Sequence, residues 1–353
     1  MIVVEKDFDI QLNYDLSKIG DPEKILFFDI ETTGLSAYNS SLYLIGTVFL
    51  RNGVFHMKQW FAESLRDEIM ILKEFFAFTE DFDTLLHFNG DTFDIRYLTD
   101  CAAQYSLPVP FERMASCDIL KRVRKHRALF QLENYKQKTI ERFLGIGRED
   151  RFTGGELIGI YEAYTENQDE RLKKFLLLHN EEDCKGMPEI LPVLSYTDTP
   201  ELTEEEITVT EAFLNKAGSM LTVYAKVPMH FPVKLDYAYS DAVRITFRED
   251  ELIFEIAACT GSLKYFFPNP KDYYYLPKED CAIHKKLASF VDKAYRVPAK
   301  PETCYTRTDG VFLTAVEKNG TPLFYKEYKD KQCYIKYEET SLKTYLLAVL
   351  KGI

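Results

Sequence analysis

The stretch KILFFDIE, residues 24 to 31, constrains this chain more than any other. Short, apolar through most of its length and followed by two threonines and a glycine, it reads as a buried strand of a sheet. Its last residues break the pattern. Asp29 and Glu31 stand two apart, and side chains at i and i+2 of a strand share a face. Two carboxylates so placed repel one another unless something positive lies between them, and a divalent metal is the obvious candidate.

Residues 41 to 107 predict the sheet around that strand. SLYLIGTVFLRNGVFHMKQWFA (41 to 62) holds two apolar, β-branched and aromatic runs around Arg51-Asn52-Gly53, a strong hairpin signal. SLRDEIMILKEFFAFTEDF (64 to 82) has helical spacing behind a serine cap. TLLHFNG (84 to 90) returns to a short buried strand, and TFDIRYLTDCAAQYSL (92 to 107) to an amphipathic helix. A hairpin followed by strand and helix in alternation predicts an α/β fold with mixed strand directions. From Cys117 to about Tyr196 the pattern is almost wholly helical, and YTDTPELTEEE (196 to 206) reads as a linker. Beyond it come tyrosine-rich strands and predicted helices at 279 to 296 and 340 to 351. The expected division is 1–198 and 199–353, the second part a smaller α+β domain; a length of 353 residues suits two domains.

No early apolar stretch follows a basic start, and no apolar run is long enough to span a bilayer, so a cytoplasmic protein without membrane contact is expected. Seven scattered cysteines with no C-x-x-C pair point to reduced, structural thiols. The net charge of −12 speaks against a protein that coats a polyanion. The average hides an asymmetry, however: Glu112 to Arg148 carries ten Lys plus Arg against four acids, and Glu149 to Glu206 sixteen acids against five bases. The basic part includes KRVRKHR, whose Arg122, Arg124, Lys125 and Arg127 are candidate phosphate contacts if an active site lies beside them. Alone, such a run is a solvated helix face. Asp118, just before it, reads as the cap of that helix.

Two further acids stand where elements end. Asp94, in HFNGDTFD, opens a helix after a strand, and Asp183, in LLLHNEEDC, lies on the last long helix. Active sites of open sheets gather at such points. Asp29, Glu31, Asp94 and Asp183 together offer hard oxygen ligands for two magnesium or manganese ions. Such a pair, roughly 3.5 to 4 Å apart, serves phosphodiester hydrolysis by stabilising charge on both attacking and leaving oxygens. Glu181 and Glu182 are expected in solvent.

These blocks, D-I-E-T-T-G-L, then N-x-x-x-F-D, then the late helical aspartate, resemble the DEDD superfamily of 3′-to-5′ exonucleases, which have a ribonuclease-H-like fold. LENYKQKTIERFLGI, REDRFTGGELIGIYEAY and LLLHNEEDC are similar to its YprB-like branch. The resemblance covers about residues 20 to 196. It implies that the four acids bind the metals, with Asp29 bridging both ions, Glu31 and Asp183 on one and Asp94 supporting the other, and that the substrate is single-stranded DNA or RNA. It also selects His179, four residues before Asp183, where the tyrosine subclass places its tyrosine. Helical residues at i and i+4 share a face, and an imidazole suits proton transfer near neutral pH, so His179 is expected as general base. The alternatives are a core histidine bonded to a backbone carbonyl, an endonuclease of the same fold, or a catalytically silent binding module.

Overall fold

The computed structural model describes residues 1–318 and 322–353, which form two compact units. The first comprises Met1–Thr197 with His230–Val233, the second Asp198–Met229 with Lys234–Ile353.

In the first unit the expected strand is β2 (Ile25–Thr32), buried along almost its whole length. The hairpin is β3 (Leu42–Arg51) and β4 (Val54–Phe61), turned at Asn52 (φ 51°) and Gly53 (φ 77°) and registered with Arg51 opposite Val54. Then come α1 (Glu68–Phe78), β5 (Thr84–His87), α2 (Asp94–Gln104) and β6 (Ala115–Asp118). One strand has no sequence signal. β1 (Ile2–Phe8) pairs antiparallel with β4 at the sheet edge, where most of its side chains are exposed and no apolar alternation is needed. The sheet order is β1-β4-β3-β2-β5-β6, with β2-β5 and β5-β6 parallel and the other pairs antiparallel.

The helical stretch resolves into α3 (Ile119–Lys125), α4 (Arg127–Phe130), α5 (Gln137–Leu144), α6 (Gly154–Asn167), α7 (Glu170–Ile190) and α8 (Leu194–Thr197). Asp118 caps α3 through the Lys121 N–H, as its position suggests. Thr153 and Glu156 form a capping box that starts α6. Phe28, Trp60, Phe75 and Phe61 fill the core with Tyr43, Tyr161 and Tyr164, and Tyr43 stacks on Tyr161 at 4.1 Å. Each fully buried ring of this kind contributes roughly 1.5 to 3 kcal/mol. Gly46, opposite Asp29 across the β2-β3 ladder, lets α7 lie close to the sheet. A Cβ there would fall 1.9 Å from Asn180 Oδ1 and 2.7 Å from Cys184 Sγ.

In the second unit β7 (Thr208–Leu214), β8 (Met220–Ser240), β9 (Val243–Phe266), β13 (Tyr305–Thr314) and β14 (Tyr334–Lys336) form a sheet in the order β14-β13-β9-β8-β7. β8 runs unbroken through MLTVYAKVP and PVKLDYAYS, and β9 through VRITFRE and ELIFEIAAC, alternating segments that read from the sequence as separate strands. The helix predicted at 279 to 296 is not formed: β10 (Tyr273–Leu276), β11 (Cys281–His284) and β12 (Val297–Pro298) make a small antiparallel sheet, with the single turn α9 (Lys285–Ala288) and a 3-10 turn at Lys293–Tyr295 inside that range. The isolated helical periodicity there is weaker than the pairing of four tyrosine-rich residues with Cys281–His284. The C-terminal helix is α10 (Leu342–Leu350). The expected linker contains the boundary between the two units; within it Tyr196, Thr197, Asp198, Thr199 and Leu202 are buried, while Glu201 and residues 203–206 are exposed. Among the described residues no helix is long and apolar enough to cross a membrane.

Candidate metal centre

Asp29 and Glu31 leave the end of β2, the strand that runs parallel to β5. Past β5 the chain turns through Asn89 (φ 68°) and enters α2, whose first residue is Asp94. Asp94 Oδ1 accepts the Ile30 N–H at 3.2 Å, so the backbone between the first two acids holds the third. From α7, Asn180 Nδ2 donates to Asp29 Oδ2 at 3.0 Å, while His179 Nε2 lies 3.7 Å from Glu31 Oε1 and 3.3 Å from Asp183 Oδ2. Single ligand atoms of Glu31, His179 and Asp183 all lie within 4.8 Å of one another.

The four acids also act on one another through their charges. Burial holds the Asp29 carboxyl well above the usual carboxylate range, and the charges of Asp183, Glu31 and Asp94 push it further. Glu31 is raised likewise by burial, then by Asp183, Asp94 and Asp150. Asp94 is pushed to about 7, mainly by burial, against the lowering effect of the Ile30 N–H. Carboxyls so disfavoured as anions form a site short of positive charge, and hard divalent cations meet that need. By donor set and charge the residues fit such ions.

Around them stands a shell that no local sequence pattern announces. Asp150, in the loop after α5 and almost wholly buried, takes His179 Nδ1 at 2.8 Å and the Lys138 ammonium at 2.8 Å on the same oxygen, Oδ2. Burial works against its ionisation, but Lys138, the Phe152 N–H and His179 outweigh that and lower its pKa. Arg148, with a side chain 10% exposed, grips Glu141 with two nitrogens, one pair at 2.6 Å, and brings Nη1 to 2.5 Å from Asp183 Oδ1. Asp183 is thus held by Oδ1 and presents Oδ2 to His179. Glu182, expected in solvent, instead accepts the backbone N–H groups of Glu149 and Asp150 at 2.7 and 2.8 Å, because that loop has no secondary structure to satisfy them. Glu181, also expected in solvent, pairs with Lys6 of β1. The one available signal for this shell is the charged Arg148-Glu149-Asp150 triplet after Gly147, but its partners are split between Lys138 and Glu141 before it and His179, Glu182 and Asp183 well after it in the chain.

The alternative of a core histidine bonded to a carbonyl does not describe His179, whose Nδ1 partner is a carboxylate. In the basic run Arg124, Lys125 and Arg127 are exposed, and Arg122 is half-buried with Nη1 4.0 Å from Cys117 Sγ.

Residues 26–195 match the RNase_H_2 family model, described as belonging to the RNase_H superfamily. The first unit has a ribonuclease-H-like fold. Its six-stranded mixed sheet flanked by helices is a nuclease fold, and the second unit adds further antiparallel sheet. The chain is also similar to the family B DNA polymerase from the hyperthermophilic archaeon Pyrobaculum calidifontis, at 16% identity and a TM-score of 0.42, over 51% of this chain and 26% of that one. No curated protein matches the sequence.

Proposed function

We propose that this protein is a metal-dependent nuclease that hydrolyses phosphodiester bonds of single-stranded DNA or RNA from a 3′ end, in the manner of the DEDD exonucleases. The observation that carries the proposal is the gathering of Asp29, Glu31, Asp94 and Asp183, with His179, at the end of β2 in a ribonuclease-H-like unit. Two divalent ions held by these acids, magnesium or manganese, would polarise the attacking water and offset charge on the leaving oxygen.

The residues around the acids prepare the site. Formally, Arg148 balances Glu141 and Lys138 balances Asp150, leaving four negative charges on the four acids, the number that two divalent cations neutralise. Arg148 and Asn180 fix the rotamers of Asp183 and Asp29, so that the carboxylates need little reorganisation when charge develops between them. Arg122, Arg124, Lys125 and Arg127 would hold the phosphate chain on its way to the acids.

The test is incubation of the full chain with end-labelled single strands of DNA or RNA and Mg2+ or Mn2+. Successive one-nucleotide products support the exonuclease, internal fragments replace it with an endonuclease, and an intact strand that only shifts in a gel replaces both with a binding module.

A further inference from the structure

We infer that His179 is itself a metal ligand, completing with Glu31 and Asp183 a mixed nitrogen-oxygen site for a first-row transition dication of the manganese type in preference to magnesium. The inference deepens the nuclease reading and rests on it for the location of the ions.

Asp150 Oδ2 already receives the Lys138 ammonium at 2.8 Å, and Oδ1 of the same carboxylate receives the Phe152 N–H at 3.0 Å. This carboxylate is therefore an acceptor, and His179 Nδ1, at 2.8 Å, must be the donor. The proton of a neutral ring is then on Nδ1, and Nε2 presents its lone pair. What Nε2 faces is Glu31 Oε1 at 3.7 Å and Asp183 Oδ2 at 3.3 Å, both acceptors once these carboxyls are ionised, the form in which they bind a metal. Three lone-pair-bearing atoms converge in a buried place, the histidine side chain only 6% exposed, and a cation among them satisfies all three.

Separations agree with this. Ligands adjacent on one octahedral ion at about 2.1 Å from the metal lie roughly 3 Å apart, and the two contacts of Nε2 are near that value. A ligating histidine typically gives its other ring N–H to a carboxylate, which fixes the ring and makes the free nitrogen more basic; Asp150 stands in that position, and its own backbone N–H is held by Glu182. Magnesium takes oxygen ligands almost exclusively, whereas imidazole suits the transition ions, so a nitrogen in the site shifts preference toward the latter. The role differs from that of a general base, which requires Nε2 to stay unliganded and reach a water instead.

The experiment is pulsed electron paramagnetic resonance of Mn2+ bound to the full-length protein without nucleic acid, with natural-abundance and 15N-histidine-labelled samples. A nitrogen coupling of directly bound imidazole, changing with the label and lost in His179→Ala, is the expected result. In competition with Mg2+, the preference for Mn2+ should fall in that variant by roughly tenfold or more. Asp150→Asn, which keeps the ring but turns an acceptor into a mixed donor, should weaken the coupling and the affinity together. Because the wild-type spectrum needs no variant, misfolding of His179→Ala cannot hide the answer. Bound Mn2+ without nitrogen coupling, or no Mn2+ binding at all, overturns the assignment. Coupling without strand cleavage supports the ligand and sinks the nuclease reading; cleavage without coupling does the reverse.

Discussion

The ribonuclease-H-like unit holds two buried histidines, His87 with two acids in reach and His179 with three, and their surroundings differ. Around His87 every group has a protein partner. Its Nδ1 accepts the Gly90 N–H at 3.0 Å, and Nε2 meets Ser116 Oγ at 2.9 Å. Asp118 accepts from Asn89 and Lys121 backbone N–H groups, and Asp91 from Ser116 Oγ and the Lys121 ammonium. Although His87, Asp91 and Asp118 are close enough to hold an ion, both ring nitrogens, both Asp91 oxygens and Asp118 Oδ1 are already engaged in holding the turn that leads to Asp94. Burial lowers the His87 pKa, in keeping with a neutral ring. Around His179 the donors reach only the outer sides, Nδ1 through Asp150 and Asp183 Oδ1 through Arg148, while Nε2 and the inner oxygens face one another. Both groups bring acids near a histidine, and in our proposal metal sits at the second because Nε2 of His179 faces oxygens there and no hydrogen-bond donor.

This contrast yields predictions of decreasing size. Asp29→Asn removes an anion from the unsatisfied group but keeps an acceptor for Asn180. Cleavage should fall by orders of magnitude, while thermal unfolding of the metal-free protein should move up. A metal-free variant less stable than wild type would show that the charges at this end of the sheet do not repel as described. Asp118→Ala strikes the satisfied group, deprives two N–H groups of their acceptor and should cost about 1 to 3 kcal/mol in denaturant unfolding, with Mn2+ binding by calorimetry almost unchanged. Equal loss of metal affinity in both variants would erase the distinction.

A smaller effect concerns pH. Asp29, Glu31 and Asp94 have native pKa values above their unfolded ones, so their contribution to stability is full at low pH and is lost as pH rises through the raised values, about 7 for Asp94. The metal-free protein should therefore melt higher at pH 6 than at pH 8, by a few degrees at most, and Asp94→Asn should reduce that difference. Saturating Mn2+ should remove it. A melting temperature that climbs with pH instead would contradict the sign. The least effect belongs to the basic run, where Arg124→Glu with Lys125→Glu should weaken single-strand binding and flatten its salt dependence by roughly 0.7 in log-log slope per lost phosphate contact. An unchanged slope would leave α3 a solvated face.

Legibility from the sequence tracks the range of the interactions. β2, the hairpin at Asn52-Gly53, α1, α2 and α10 are readable because alternation, turn chemistry and caps act within a few residues. Asp29, Glu31, Asp94 and Asp183 are readable as candidates because each stands at the end of such an element or on a shared helix face with His179. β1 is not, since an exposed edge strand needs no apolar pattern, and the helix expected at 279 to 296 gives way to pairing between β10 and β11 that spacing cannot reveal. Asp150, Arg148, Lys138 and Glu182 are also out of reach. Their meaning lies in which atom faces which, and that depends on Gly46 allowing α7 to approach β3 and on the loop after α5 folding back onto α7. By itself the sequence determined the elements and the acids, which are local properties of the chain. Only the tertiary structure decided which oxygens and nitrogens are already satisfied, because hydrogen bonds between residues roughly 30 to 150 positions apart form only once the layers have packed.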